Sequence, residues 1–208
     1  MRIAIGLLAS LTVVASATLL APSNVPQTKL SVTDLYAHSF EIDFPYDQKI
    51  RLDLCSGAFR ILGTGNHKLS VHAGGKNADK AKDLTLNFKH FGNHAELSVL
   101  GGSTRSGDVE ITLEVPKASD LYVRMPFGDL SVEGVSGDKD VELHAGDLII
   151  SVGEAADYGH VDASVGAGDL SAGPFGESKD GLFRSFEKTG TGRYKLHAHV
   201  GAGDLILR

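Results

Sequence analysis

From Phe40 to the C-terminus, apolar residues recur at every second position with few interruptions. Phe40, Ile42 and Phe44 alternate with polar residues, and Ile50, Leu52 and Leu54 do the same after a Pro45-Tyr46-Asp47 turn. Further alternating runs fall at Leu69-Val71, Leu84-Leu86-Phe88, Leu97-Val99 and Val109-Ile111-Leu113-Val115. A period of two over such lengths predicts half-buried strands. The polar stretch from Lys76 to Lys82 predicts one helical turn or a loop, too short to make the chain an α/β protein.

Superimposed on this alternation is a triplet that occurs four times, at Gly128-Asp129-Leu130, Gly146-Asp147-Leu148, Gly168-Asp169-Leu170 and Gly203-Asp204-Leu205. In the first copy Leu121, Val123, Met125 and Phe127 precede the glycine at alternate positions. The third copy has Val161, Ala163, Val165 and Ala167 there, and the fourth has Leu196, Ala198, Val200 and Ala202. The second copy matches only at the last three positions, with Val141, Leu143 and Ala145. The residue before each Gly and the Leu after each Asp lie three apart, so a two-residue corner between strands absorbs the change of phase. Gly supplies backbone angles closed to other residues, and Asp bonds the N–H groups of a bend. The three alanines before Gly (Ala145, Ala167, Ala202) predict a thin interior at the corners. Gly107-Asp108-Val109 is a looser copy, and Ser56-Gly57-Ala58-Phe59 keeps the Gly without the Asp.

Triplets recurring in one phase mark a repeat architecture. The strict copies are spaced 18, 22 and 35 residues apart, a length that suits one circuit of a flattened coil whose rungs stack ~4.8 Å apart. The expected fold is therefore all-β: a single-stranded β-solenoid of short stacked strands with Gly-Asp corners over residues 39–208. The longest interval needs an insertion, and Gly173 to Gly192, opening on Pro174-Phe175-Gly176 and rich in charge, supplies it.

The N-terminus reads separately. Arg2, an apolar run from Ile3 to Val14, and Ala15-Ser16-Ala17 form the pattern of a secretory signal peptide over residues 1–17. An uncleaved anchor is the rival, since Leu19 and Leu20 extend the apolar stretch toward a bilayer span. Residues 18–38, with Pro22 and Pro26 and no sustained period, read as a flexible leader. Export implies the periplasm, cell envelope or cell exterior. Cys55 is the only cysteine, which excludes an intramolecular disulfide. The formal charge of −6 argues against nucleic acid as a partner, which demands a basic face.

Val115-Pro116-Lys117, Leu121-Tyr122-Val123, the run from Phe127 to Asp138 and the closing Val200-Gly201-Ala202-Gly203-Asp204-Leu205 together resemble the bacterial "putative adhesin" or toast-rack domains. The resemblance spans roughly Ile50 to Arg208. It implies a β-solenoid-like domain with an interaction role in the envelope, and it carries over no catalytic residue.

Three constellations could carry chemistry. An aspartate ladder (Asp108, Asp129, Asp147, Asp169, Asp204) could line one edge of the stack. Calcium would suit its hard oxygens, but the nine-residue phasing of calcium β-rolls is missing, so the expectation is structural turn residues. His197 and His199 share the outward face of one strand, with His144, His160 and Asp162 nearby, a conceivable zinc surface; functionless surface histidines are the expectation, and no metal ligand is assigned. Finally, polysaccharide-processing β-helices need paired carboxylates beside a ring-stacking aromatic; Trp is absent, the 5 Tyr are scattered, and no Gly-x-Ser-x-Gly occurs. The expectation is a non-catalytic binding or scaffolding module without cofactor, meeting an envelope or surface partner through faces bearing Glu133, Glu142, His144, Asp162 and Lys195. Its terminal segment Leu205-Ile206-Leu207 is expected to be a free edge open to self-association.

Overall fold

The computed structural model describes residues 27–45, 48–101 and 109–208. The signal-peptide reading, residues 18–26 of the leader, and the Gly107-Asp108 copy lie outside the described residues. Among the described residues, seventeen strands make up the fold. The first eight are β1 (Gln27–Thr33), β2 (Phe40–Asp43), β3 (Lys49–Asp53), β4 (Gly57–Thr64), β5 (Lys68–Gly74), β6 (Leu84–Phe91), β7 (His94–Gly101) and β8 (Glu110–Pro116). The repeat region supplies β9 (Asp120–Glu133), β10 (Lys139–Ala145), β11 (Leu148–Ile150), β12 (Tyr158–Ala167) and β13 (Leu170–Ala172). The chain closes with β14 (Glu177–Lys179), β15 (Leu182–Thr189), β16 (Tyr194–Ala202) and β17 (Leu205–Leu207). Three short 3-10 turns, one of them at Ala78–Asp83 where the polar stretch lies, are the helical content of the described residues. The chain is all-β.

The strands form two sheets that share β9. Pairing in the first runs β1–β6–β7–β3–β9–β10–β16–β12–β15. In the second it runs β2–β5–β8–β4–β9–β11–β17–β13–β14. The middle of each is parallel and the flanks are antiparallel. The inner faces meet in one core, as the Phe40 ring of the second sheet shows by lying 5.3 Å from Phe88 of the first. Parallel strands buried in this way must present aliphatics in register. Leu130, Leu148, Leu205 and Leu170 do so, all fully buried, each contributing ~1.5–3 kcal/mol by leaving water.

Among the described residues five rungs with their corners cross from the first sheet into the second (β3–β4, β9, β10–β11, β12–β13 and β16–β17), and their spatial order is not their chain order. The rung β16–β17 is inserted between β10–β11 and β12–β13. The coil-by-coil succession of a solenoid is therefore broken at the last rung, both of whose pairings are parallel, and also near the start, where β3 and β4 lie between β7 and β8 on one side and β9 on the other. Consequently Leu205-Ile206-Leu207 is an interior strand, bonded to β11 on one side and β13 on the other, and the expected free C-terminal edge does not exist. The insertion after Gly173 explains the order. It folds as the antiparallel β14 and β15, which close the far end of the stack over β13 and β12.

Two other expectations change. Gln27–Thr33, placed in a flexible leader by its lack of period, is a strand paired along its whole length with β6. Each corner takes four residues, not two: inward Met125 and Leu130 flank an outward Pro126-Phe127-Gly128-Asp129, and Leu143 and Leu148 flank the second corner likewise. The residue before each Gly is already inside the bend. Phe127 is 58% exposed, and the predicted thin alanine interior is an external row running Phe127, Ala145, Ala202, Ala167, Leu182.

Candidate functional site

At the corners, backbone packs closely against backbone. Gly128, Gly146, Gly203 and Gly168 stack in rung order with φ between +120° and +136°. A Cβ on Gly146 would fall on the Gly128 carbonyl oxygen, and one on Gly203 on that of Gly146. The aspartates answer the repulsion that a carboxylate ladder imposes. Asp147 Oδ1 accepts the Asp204 N–H at 3.2 Å, and Asp204 Oδ1 accepts the Asp169 N–H at 3.0 Å. Leu130, Leu148 and Leu205 N–H groups donate the other way, to the carbonyls of Asp147, Asp204 and Asp169. Carboxylates that accept backbone N–H bonds between rungs do there what a bridging cation would do. Asp129 occupies the first step of the same ladder.

The outer face of the first sheet concentrates polar chemistry because its central strands are in exact parallel register. One cross-strand row reads Glu96, Arg51, Tyr122, Asp140, His197, Asp162, Glu187, and the next reads Ser98, Asp53, Arg124, Glu142, His199, Ser164, Ser185. Arg124 organises the centre. Its Nη1 lies 2.9 Å from Asp140 Oδ1, close enough for ion pairing though not aligned as a hydrogen bond, and its Nε lies 3.1 Å from Glu142 Oε2. Nη1 also donates to the carbonyls of Val123 and Asp140. The guanidinium sits 3.6 Å from the Tyr122 ring centroid, and Arg51 sits 4.9 Å from it. Beside this group, His197 Nδ1 meets Asp162 Oδ2 at 3.0 Å and His199 Nδ1 meets Ser164 Oγ at 2.9 Å.

A groove of about 370 Å³ runs along one end of these rows, lined by Lys49, Arg51, His94, Asp120, Tyr122, Asp138 and Asp140. Three carboxylates beside an aromatic ring are the composition that sugar processing requires. Two features argue against that use. The Tyr122 ring is engaged by two guanidinium groups. Asp120 and Asp138 serve as a second staircase, accepting the N–H groups of Asp138 and Lys195 respectively.

Among the residues expected to share a surface, Glu142, His144, Asp162 and Lys195 belong to the first sheet, whereas Glu133 lies on the second, paired with Arg60 and Arg208. His144 stands near Gly201 in register, apart from His197, whereas His160 lines one hollow with His197, Asp162 and Asp140. His197 instead finds carboxylates on both neighbouring strands. Cys55 is half-buried against the core, and burial pushes its thiol pKa up, which makes it a quiet group.

Lys139 escaped the sequence reading, although its signal was the one missing apolar position in the second repeat. It occupies an inward row between Leu121 and Leu196 and is only 2% exposed. Its Nζ donates to Gly137 O at 3.0 Å and to the Tyr158 hydroxyl at 2.8 Å, and that hydroxyl donates to Val152 O at 3.2 Å. Burial pushes the Lys139 ammonium down to about 8 against the pull of Asp138 and Asp120. Burial likewise pushes the Tyr158 hydroxyl up to about 12.

No protein-family profile matches the chain, and no curated protein matches it. Among solved structures, a "putative cell adhesion protein" from Clostridium sporogenes ATCC 15579 aligns with a TM-score of 0.48 at 10% identity, covering 88% of this chain and 100% of that one. A "putative adhesin" from Bacteroides fragilis NCTC 9343 aligns with a TM-score of 0.32 at 10% identity, covering 82% of this chain and 96% of that one. Both likenesses are too distant to carry a function across.

Proposed function

We propose that the chain is an exported, non-catalytic binding module of the cell envelope or cell exterior, adhesin-like in role, whose working surface is the outer face of the first sheet. The observation that supports this reading is the pair of in-register polar rows centred on Arg124 and Asp140. Side chains mounted on a parallel sheet are held by the ladder of their own backbones, so their spacing is fixed before a partner arrives, which lowers the ordering cost of binding. A broad, rigid, charged face suits a partner that meets it by surface complementarity. The sequence resemblance to the toast-rack domains points to the same compartment and role.

The test uses the purified chain and isolated envelopes. Saturable binding that falls at least tenfold in Tyr122→Ala and Glu187→Lys, but not in Arg60→Gln on the opposite sheet, supports the reading. Equal binding by all three overturns the assignment of the face. The second reading, carbohydrate processing, is favoured by the carboxylates around Tyr122 in the groove. Release of new reducing ends from envelope polysaccharide by the wild-type chain, abolished by Asp140→Asn, would establish it in place of the first.

A further inference from the structure

We propose that Asp140, Glu142 and His197 form a zinc site on the outer face of the first sheet. One ligand atom from each lies within 4.8 Å of those of the other two. Register creates the site: Asp140 stands directly opposite His197 on adjacent strands, and Glu142 follows Asp140 by two on the same face. A mixed imidazole and carboxylate set at this spacing suits zinc, which accepts both donor types and leaves a fourth position for water or a partner's group.

Two further observations favour a cation there. His197 Nδ1 is held by Asp162 Oδ2 at 3.0 Å, from the strand on the other side. A carboxylate behind an imidazole fixes the ring and leaves Nε2 as the ligand nitrogen, as metal-bound histidines require. Asp140 Oδ1, ion-paired to Arg124 Nη1 at 2.9 Å, accepts no aligned hydrogen bond. The charge balance points the same way. Asp140, Glu142 and Asp162 carry three negative charges; Asp162 faces His197, and Asp140 and Glu142 share one cation, Arg124. Its guanidinium also holds the Val123 and Asp140 carbonyls and the Tyr122 ring, so it keeps its place when the two carboxylates turn toward a metal. Neither the functional reading above nor its failure affects this assignment.

The experiment is titration of the full, untagged chain with zinc chloride, read by calorimetry and by the shift in melting temperature. The wild type binds one zinc per chain with a rise in melting temperature. His197→Ala abolishes that binding, and Asp162→Asn weakens it by roughly 10- to 100-fold, the usual cost of losing the carboxylate behind a ligating histidine. Circular dichroism confirms that each variant is folded, and the Asp140→Asn, Glu142→Gln double variant supplies an independent loss should His197→Ala fail to fold. Absence of zinc binding by the wild type, or stoichiometric binding retained in either loss variant, overturns the proposal. Binding of calcium chloride that persists in His197→Ala also overturns it, because it would report an oxygen-only site.

Discussion

Gly146 has a φ of +125° and faces the Gly128 carbonyl of the neighbouring rung, so an added methyl group has no room and no comfortable backbone. Gly146→Ala is therefore expected to cost about 3 kcal/mol or more, whereas Gly153→Ala, at φ +70° with open space around it, costs about 1 kcal/mol. Chemical denaturation of the two variants checks this, and equal losses would remove the stacked-corner account. Lys139 makes a second prediction, on pH. Its folded pKa of about 8 lies below the ordinary 10.5, so between these values the unfolded chain holds a proton that the folded chain has released. Stability then rises with pH, by about 2–3 kcal/mol from pH 8 to 10. Tyr158, raised to about 12, opposes the trend above pH 10, where the unfolded hydroxyl ionises first. Denaturation of Lys139→Met across this range should lack the rise. A wild-type curve parallel to that of the variant would contradict the burial cost.

At the scale of the element, most strands were legible because each buries one face and so shows a period of two. The Gly-Asp pairs were legible as corners because stacked bends need a glycine and an N–H acceptor. The width of the corner was not: Phe127 and the alanines that follow it in the row keep the alternation in sequence, while the bend has already turned them outward. Nor was the position of β16–β17. Local pattern says which residues face inward, but the order of rungs is decided by long-range pairing, and β10 meets β16 only because the β14–β15 insertion lets the chain return. The Asp140–His197 contact, 57 positions apart in the chain, depends wholly on that order. A prediction belongs here. Leu205→Pro removes the N–H bonded to Asp169 O at 2.9 Å and empties a buried leucine position, so it should cost at least ~4 kcal/mol. Circular dichroism melts should show this loss. A stable, folded variant with altered oligomeric state in size-exclusion chromatography would restore the free-edge reading.

Across the whole molecule, the two ends of the stack are finished differently. Phe40, Phe44 and Phe88 pack together near one end, and Tyr158, Phe175, Phe186 and Tyr194 near the other. The flanking antiparallel strands carry part of each aromatic cluster, Phe40 on β2 and Phe88 on β6 at one end and Phe186 on β15 at the other, so the parallel rungs with their regular outer rows occupy the protected middle. This placement mounts the polar face of the first sheet on parallel strands with neighbours on both sides, and it puts Leu205–Leu207 between two paired strands. Chain ends ordinarily exchange early. Amide hydrogen exchange of residues 194–207 is the most direct test of the stacking order. The inserted rung predicts protection equal to that of β9 and outlasting β15, whereas fast exchange typical of an edge strand would contradict it.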